Sequence, residues 1–194
     1  ISLLNMNTLE QKSVYEINNT FQISSLFYDN KGEVLWIGTS TDGLFYLDMK
    51  KKSLLPFSDF PKQPIGVITE SSDSTLLVGI DGQGVWELDK DKKTVLNILK
   101  EDIDNPFSLR GDGVYDIYCD GKQRVWVATY TGGLSFFDWK SPLINQITHQ
   151  VNNPNSLGND NVNKILEDSK GDIWFATNNG ISRWRVATNE WDIY

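Results

Sequence analysis

One motif returns four times along this chain of 194 residues, and its period constrains the fold more than any other feature. The copies occupy 23–48, 65–89, 114–138 and 162–185, with Trp36, Leu77, Trp126 and Trp174 at the shared anchor position. The anchors stand 41, 49 and 48 residues apart. Periods of about 40–50 residues, each filled with several short strands, are the signature of propeller blades.

Each copy divides into four strands. The first carries an apolar pair three residues apart: Ile23/Leu26, Ile65/Ile68, Val114/Ile117 and Val162/Ile165. A turn with Asp and Gly follows at 29–32, 120–121 and 168–171, whereas the second copy has Ser71-Ser72-Asp73-Ser74 and no Gly. Those residue types accept the positive φ and side-chain caps of tight turns. The second strand reads LWIGT, LLVGI, VWVAT and IWFAT, apolar at consecutive positions. A strand with one wet face alternates, so this one is expected to be covered on both faces, as in radially stacked sheets. Its small residue (Gly38, Gly79, Ala128 or Ala176) fits close approach of a neighbouring sheet. Hairpin signals follow at Asp42-Gly43, Gly82-Gln83-Gly84, Gly132-Gly133 and Asn179-Gly180. They lead to a third strand and a weaker, alternating fourth strand, such as 190–193, at the outer rim.

Before the first copy, Ile1–Met6 reads as a third strand and Ser13–Ile17 as a fourth. The expected fold is all-β: a β-propeller fragment of about four four-stranded blades plus the last two strands of a preceding blade. The units are 1–19, 20–62, 63–104 (the degenerate one), 105–152 and 153–194, all within one partial propeller domain. Propellers close with about 4–8 blades, so Ile1 is expected to lie inside a larger ring. Its remaining blades would come from the parent chain or from another chain, or the ring stays open.

Composition excludes several functions. Eighteen basic against 26 acidic side chains give a net charge of −8, which repels phosphate backbones and argues against nucleic acid. The lysines at 50–52 and 90–93 read as solvated hairpin turns. One cysteine, Cys119, and one histidine, His149, offer neither a disulfide nor a ligand-spaced metal site. The Asp-Gly turns lack the alternating carboxylates and distal Glu of a calcium loop. No apolar run reaches the length of a membrane span.

The unit D-x-x-G-x-(x)-W-[IVF]-[GA]-T-x-x-G-G-[LI] resembles the two-component-regulator propeller repeat. It is carried by Asp168–Thr177 with Asn179-Gly180-Ile181, by Asp29 to Leu44 and by Asp120 to Leu134. The linkers Asn105-Pro106-Phe107-Ser108-Leu109 and Asn153-Pro154-Asn155-Ser156-Leu157 are similar to the segment preceding many such repeats. The resemblance implies the periplasmic sensor region of a hybrid two-component histidine kinase of the Bacteroidetes type. There, glycan-derived oligosaccharides are detected to control polysaccharide utilisation, without a cofactor. The membrane would be reached only through other parts of the parent protein.

Propeller topology places the strand 2–3 turns and the strand 4-to-1 connections on one face, here called upper. A sugar site wants a stacking aromatic beside amides and carboxylates. Tyr130 and Arg110 lead the candidates, followed by Asp81, Gln83, Asn178 and Asn179. Ordinary turn roles are the bland alternative, and Asn179 would then serve only a left-handed backbone. The competing functions are a protein-interaction scaffold, including a homodimer, and a propeller glycosidase or lyase. The latter would need convergent carboxylates such as Asp42, Asp81 and Asp112.

Overall fold

The computed structural model describes all residues except 14, 17–20, 73, 121–123 and 139–140, and leaves the side chains at 3 and 141–143 undescribed. Among the described residues, strands are the only regular elements long enough to name. A two-stranded antiparallel sheet, β1 (Ser2–Leu4) and β2 (Gln11–Ser13), comes first. The expected third strand is therefore present. The expected fourth lies earlier than Ser13–Ile17, and Val14 and Ile17 fall outside the described residues.

Four four-stranded meanders follow. Blade I is β3 (Ile23–Asp29), β4 (Val34–Thr39), β5 (Leu44–Asp48) and β6 (Ser53–Pro56). Blade II is β7 (Ile65–Ser72), β8 (Thr75–Ile80), β9 (Gly84–Asp89) and β10 (Thr94–Leu99). Blade III is β11 (Val114–Cys119), β12 (Arg124–Thr129), β13 (Leu134–Asp138) and β14 (Ser141–Ile147). Blade IV is β15 (Val162–Glu167), β16 (Ile173–Thr177), β17 (Gly180–Arg185) and β18 (Glu190–Ile193). Every strand pairs with its sequence neighbour, so each sheet is a simple up-and-down blade.

The core lies between the blades. Trp36 packs with Ile65, Leu76, Val78 and Leu88 of the next blade, and Trp126 with Val162, Ile173 and Phe175 of the one after. The small residues of the second strands make the predicted close approach. A Cβ on Gly38 would sit 2.7 Å from Ile65 Cγ2, and one on Gly79 would sit 2.6 Å from Val114 Cγ1. Both partners open the first strand of the following blade. Ala128 repeats the contact in the cluster that holds Val162, while Ala176 of blade IV is uncovered.

Polar staples cross the same interfaces. Ser24 Oγ donates to the Ile65 carbonyl at 2.8 Å, and Asp116 accepts the Ile165 N–H at 3.0 Å and Lys164 Nζ at 3.1 Å. The expectation of a solvated 90–93 turn fails at Lys90. This side chain is 2% exposed and bridges Asp29 of blade I and Glu70 of its own blade. Burial pulls its pKa down, but the hydrogen bond it donates to Glu70 and the charge of Asp29 outweigh that and leave it raised. The Lys93 ammonium lies 4.4 Å above the Trp36 ring, whereas the 50–52 turn is solvated as expected.

The Asp and Trp of the repeat are also bonded to each other. Trp126 Nε1 donates to Asp120 at 2.9 Å, and Trp174 Nε1 to Asp168 at 2.8 Å, each pair six residues apart. Asp29 and Trp36 are seven apart because the blade I hairpin is one residue longer. There the Asp turns to Lys90, and Trp36 Nε1 is buried without a hydrogen bond.

Candidate upper-face binding site

The ladders place the site. Ile23 pairs with Thr39, Val114 with Thr129 and Val162 with Thr177, so each second strand ends where its blade's first strand begins. The strand 2–3 turns and the 4-to-1 connections therefore share one face, as the topology argument required. In blades I, III and IV the turn is held by the repeat's Thr, whereas blade II has Ile80 there. Thr39 Oγ1 donates to Gly43 O at 2.8 Å while accepting the Asp42 N–H at 2.9 Å. Thr129 does the same with Gly133 O at 3.1 Å and Gly132 N at 3.1 Å. The receiving glycines need their left-handed backbone, with φ of 81° at Gly43 and 94° at Gly180. Asn179 does not have a positive φ. Its neighbour Gly180 does, which removes the bland explanation of that asparagine.

The 4-to-1 connections are built twice to one plan. In the first, Asn105 Oδ1 caps the Phe107 N–H, and the Ser108 hydroxyl accepts Asp102 N and donates to Asp102 O. In the second, Asn153 Oδ1 caps Asn155 N, and Ser156 Oγ accepts Gln150 N. Each loop drives a leucine into the core, Leu109 at 1% exposure and Leu157 at 0%. Three residues on, Asp112 Oδ1 accepts Glu101 N at 2.7 Å and Asp160 Oδ1 accepts His149 N at 2.6 Å. The carbonyls of these same aspartates cap the turn glycines Gly84 and Gly133 of the preceding blade, both at 2.9 Å. The segments read in sequence as linkers are thus rigid latches.

Between the latches lies a polar cleft of about 400 Å³ lined by Glu101, Arg110, Thr131, Gly132, Thr148, His149 and Asp160. Among the described residues, the Arg110 guanidinium makes no hydrogen bond or ion pair. His149 Nδ1 lies 2.8 Å from Leu157 O; a carbonyl only accepts, so Nδ1 is the donor in this contact. Two further clefts adjoin it. One of about 320 Å³ shares Glu101 and Arg110, and one of about 440 Å³ shares His149 and reaches Asn179.

The six predicted residues divide among different places. Arg110 and Asn179 line these clefts. Tyr130 is on the other side of the 129–133 turn, 51% exposed, its ring edge-on to Tyr115 at 5.6 Å. Asp81 flanks the same spot: a Cβ on Gly113 would lie 3.3 Å from Asp81 Oδ1 and 3.5 Å from Tyr130 Cβ. Burial, with the Asp81 and Tyr130 charges behind it, raises the Tyr115 pKa. Gln83 Oε1 is engaged by Lys100 Nζ at 2.8 Å, and Asn178 Oδ1 by Asn163 Nδ2 at 2.8 Å. Sequence reasoning missed Glu101, Thr148, His149 and Asp160. The signal for the aspartate was present, since S-L-x-x-D occurs at 108–112 and again at 156–160.

Residues 108–131 and 156–179 match the family model "Two component regulator propeller". Each match spans a latch, a first strand, a second strand and the turn after it. A histidine kinase of Formosa agariphila is 27% identical over 108 residues, covering 52% of this chain and 8% of that protein. The extracellular domain of a putative hybrid two component system from B. thetaiotaomicron superposes at TM-score 0.54, with 17% identity, over 100% of this chain and 32% of that one. The computationally designed Ika8 protein superposes at TM-score 0.65, with 12% identity, over 94% of this chain and 51% of that one. The chain thus spans under a tenth of the curated relative and about a third of the natural structural relative.

Proposed function

We propose that this chain, which carries two-component-regulator propeller repeats, belongs to the extracytoplasmic sensor region of a hybrid two-component histidine kinase. On this reading it is a periplasmic, non-catalytic binding module that detects a glycan-derived oligosaccharide. The observation that carries the reading is the Arg110 cleft, which brings donor-only, acceptor-only and hydroxyl side chains together on the loop face of a rigid scaffold. A polyhydroxyl ligand both donates and accepts and so matches that mixture. The location rests on the repeat match and on the extracellular domains that share the fold.

Two carboxylates named for the glycosidase alternative are engaged locally. Asp112 accepts Glu101 N, and Asp42 accepts the Thr41 hydroxyl at 2.8 Å. On the trailing face of blade IV, Leu166, Trp174, Ala176 and Ile181 line an apolar hollow of about 470 Å³, a surface that a further blade or a protein partner would equally cover.

Calorimetry against host and plant oligosaccharides tests the proposal. Saturable heat that Arg110→Ala weakens at least about tenfold is the expected result, about 1.4 kcal/mol of binding energy. Silence across the panel, or release of new reducing ends, contradicts it.

A further inference from the structure

The three upper-face clefts are not independent. The two outer ones are built from repeat-equivalent positions, with Glu101 answering to His149, Ile103 to Val151 and Arg110 to Gly158. The central cleft shares Glu101 and Arg110 with one neighbour and His149 with the other. They therefore form one groove that runs from the latch of blade III to the latch of blade IV.

The groove has a chemical profile. Its backbone is fixed at two lining positions, where Asp112 accepts Glu101 N and Asp160 accepts His149 N. Its centre offers Arg110, a pure donor, beside the Glu101 and Asp160 carboxylates, which only accept. Those opposite charges give no net attraction for an anion. At its two ends the repeat sets an aliphatic side chain in water, Ile103 at 97% exposure and Val151 at 86%. Two apolar contacts one blade apart with a polar centre between them suit an extended ligand whose units each present hydroxyl edges and an apolar face.

We infer that the groove binds a linear, uncharged oligosaccharide along its length, with its ends against Ile103 and Val151 and its middle on Arg110. The inference rests on the proposed sensory function and adds ligand length and charge to it. A ligand that touches all three clefts gains from each without paying again for association, so affinity rises with chain length until the groove is filled.

Calorimetry on the whole chain tests this with neutral gluco-, xylo-, manno- and galacto-oligosaccharides of two, four and six units, alongside galacturonate oligomers of the same lengths. One neutral series is expected to bind, gaining at least about tenfold from two units to six. Arg110→Ala should weaken every length. Ile103→Ser and Val151→Ser should weaken the six-unit ligand and leave the two-unit ligand unchanged; both side chains are exposed, so the fold is retained. Equal affinity at all lengths overturns the groove while the sensory reading stands. Preferential binding of the galacturonate series overturns the neutral ligand. Heat from no sugar in the panel overturns the sensory reading and the groove with it.

Discussion

Lys90 shows how a single side chain can join two blades. Its ammonium is enclosed by Asp29 and Glu70, and Asp29 is itself buried. Removing one partner of a buried pair strands the other charge, so Lys90→Ala is expected to lower stability by about 3–5 kcal/mol in urea unfolding. Lys92→Ala, in the same turn but exposed, should change it by no more than about 0.5 kcal/mol. Nothing in the run K-D-K-K distinguishes these lysines, because the distinction lies in Asp29, 61 residues away. Cys119 is a second case. Burial, then the Asp120 charge, pushes its thiol from 9.0 up to about 11, and burial with the Glu167 bond pushes Tyr118 from 10.0 up to about 12. Both folded groups hold their protons longer than the unfolded ones. Their contribution is therefore complete below pH 9 and is lost as pH rises through about 11 and then about 12. Thermal melts should show this alkaline loss, and at pH 8 the thiol should react with a disulfide reagent only after unfolding.

At the scale of the strand and turn, the repeat was legible because its constraints are local or recur. The apolar second strand, the Thr–Gly clasp and the small residue facing the next blade are each visible as a residue type at a fixed offset. Gly79→Val places branched carbon where Val114 already sits, and overpacking should cost about 1–3 kcal/mol. Ala176→Val, at the equivalent position of blade IV, is exposed with no following blade against it among the described residues and should be close to neutral in this chain. Matching losses at both positions in paired denaturation curves would remove the blade-to-blade contact from this account. The site was less legible. Tyr130 and Arg110 stand out in the sequence as the aromatic and the cation of the upper loops, but Tyr130 packs on Tyr115 while Arg110 lines the cleft with Asp160. Which side of a turn a residue faces depends on the latch that packs over it. That latch is set by Ser108, Leu109 and Asp112 acting together.

For the molecule as a whole, four blades stacked through alternating small and β-branched residues form a rigid wall. The loops of one edge are fixed by the same aspartates that join blade to blade. A ligand held there would bridge the latches of blades III and IV, so binding and blade packing are coupled through Asp112 and Asp160. The most direct measurement is amide hydrogen exchange of the chain with and without the oligosaccharide that calorimetry selects. The account predicts added protection at 101–112, 129–133 and 148–160, with the lower turns at 49–52 and 168–171 unchanged. Protection confined to the lower turns, or to the trailing face of blade IV around Trp174, would contradict it.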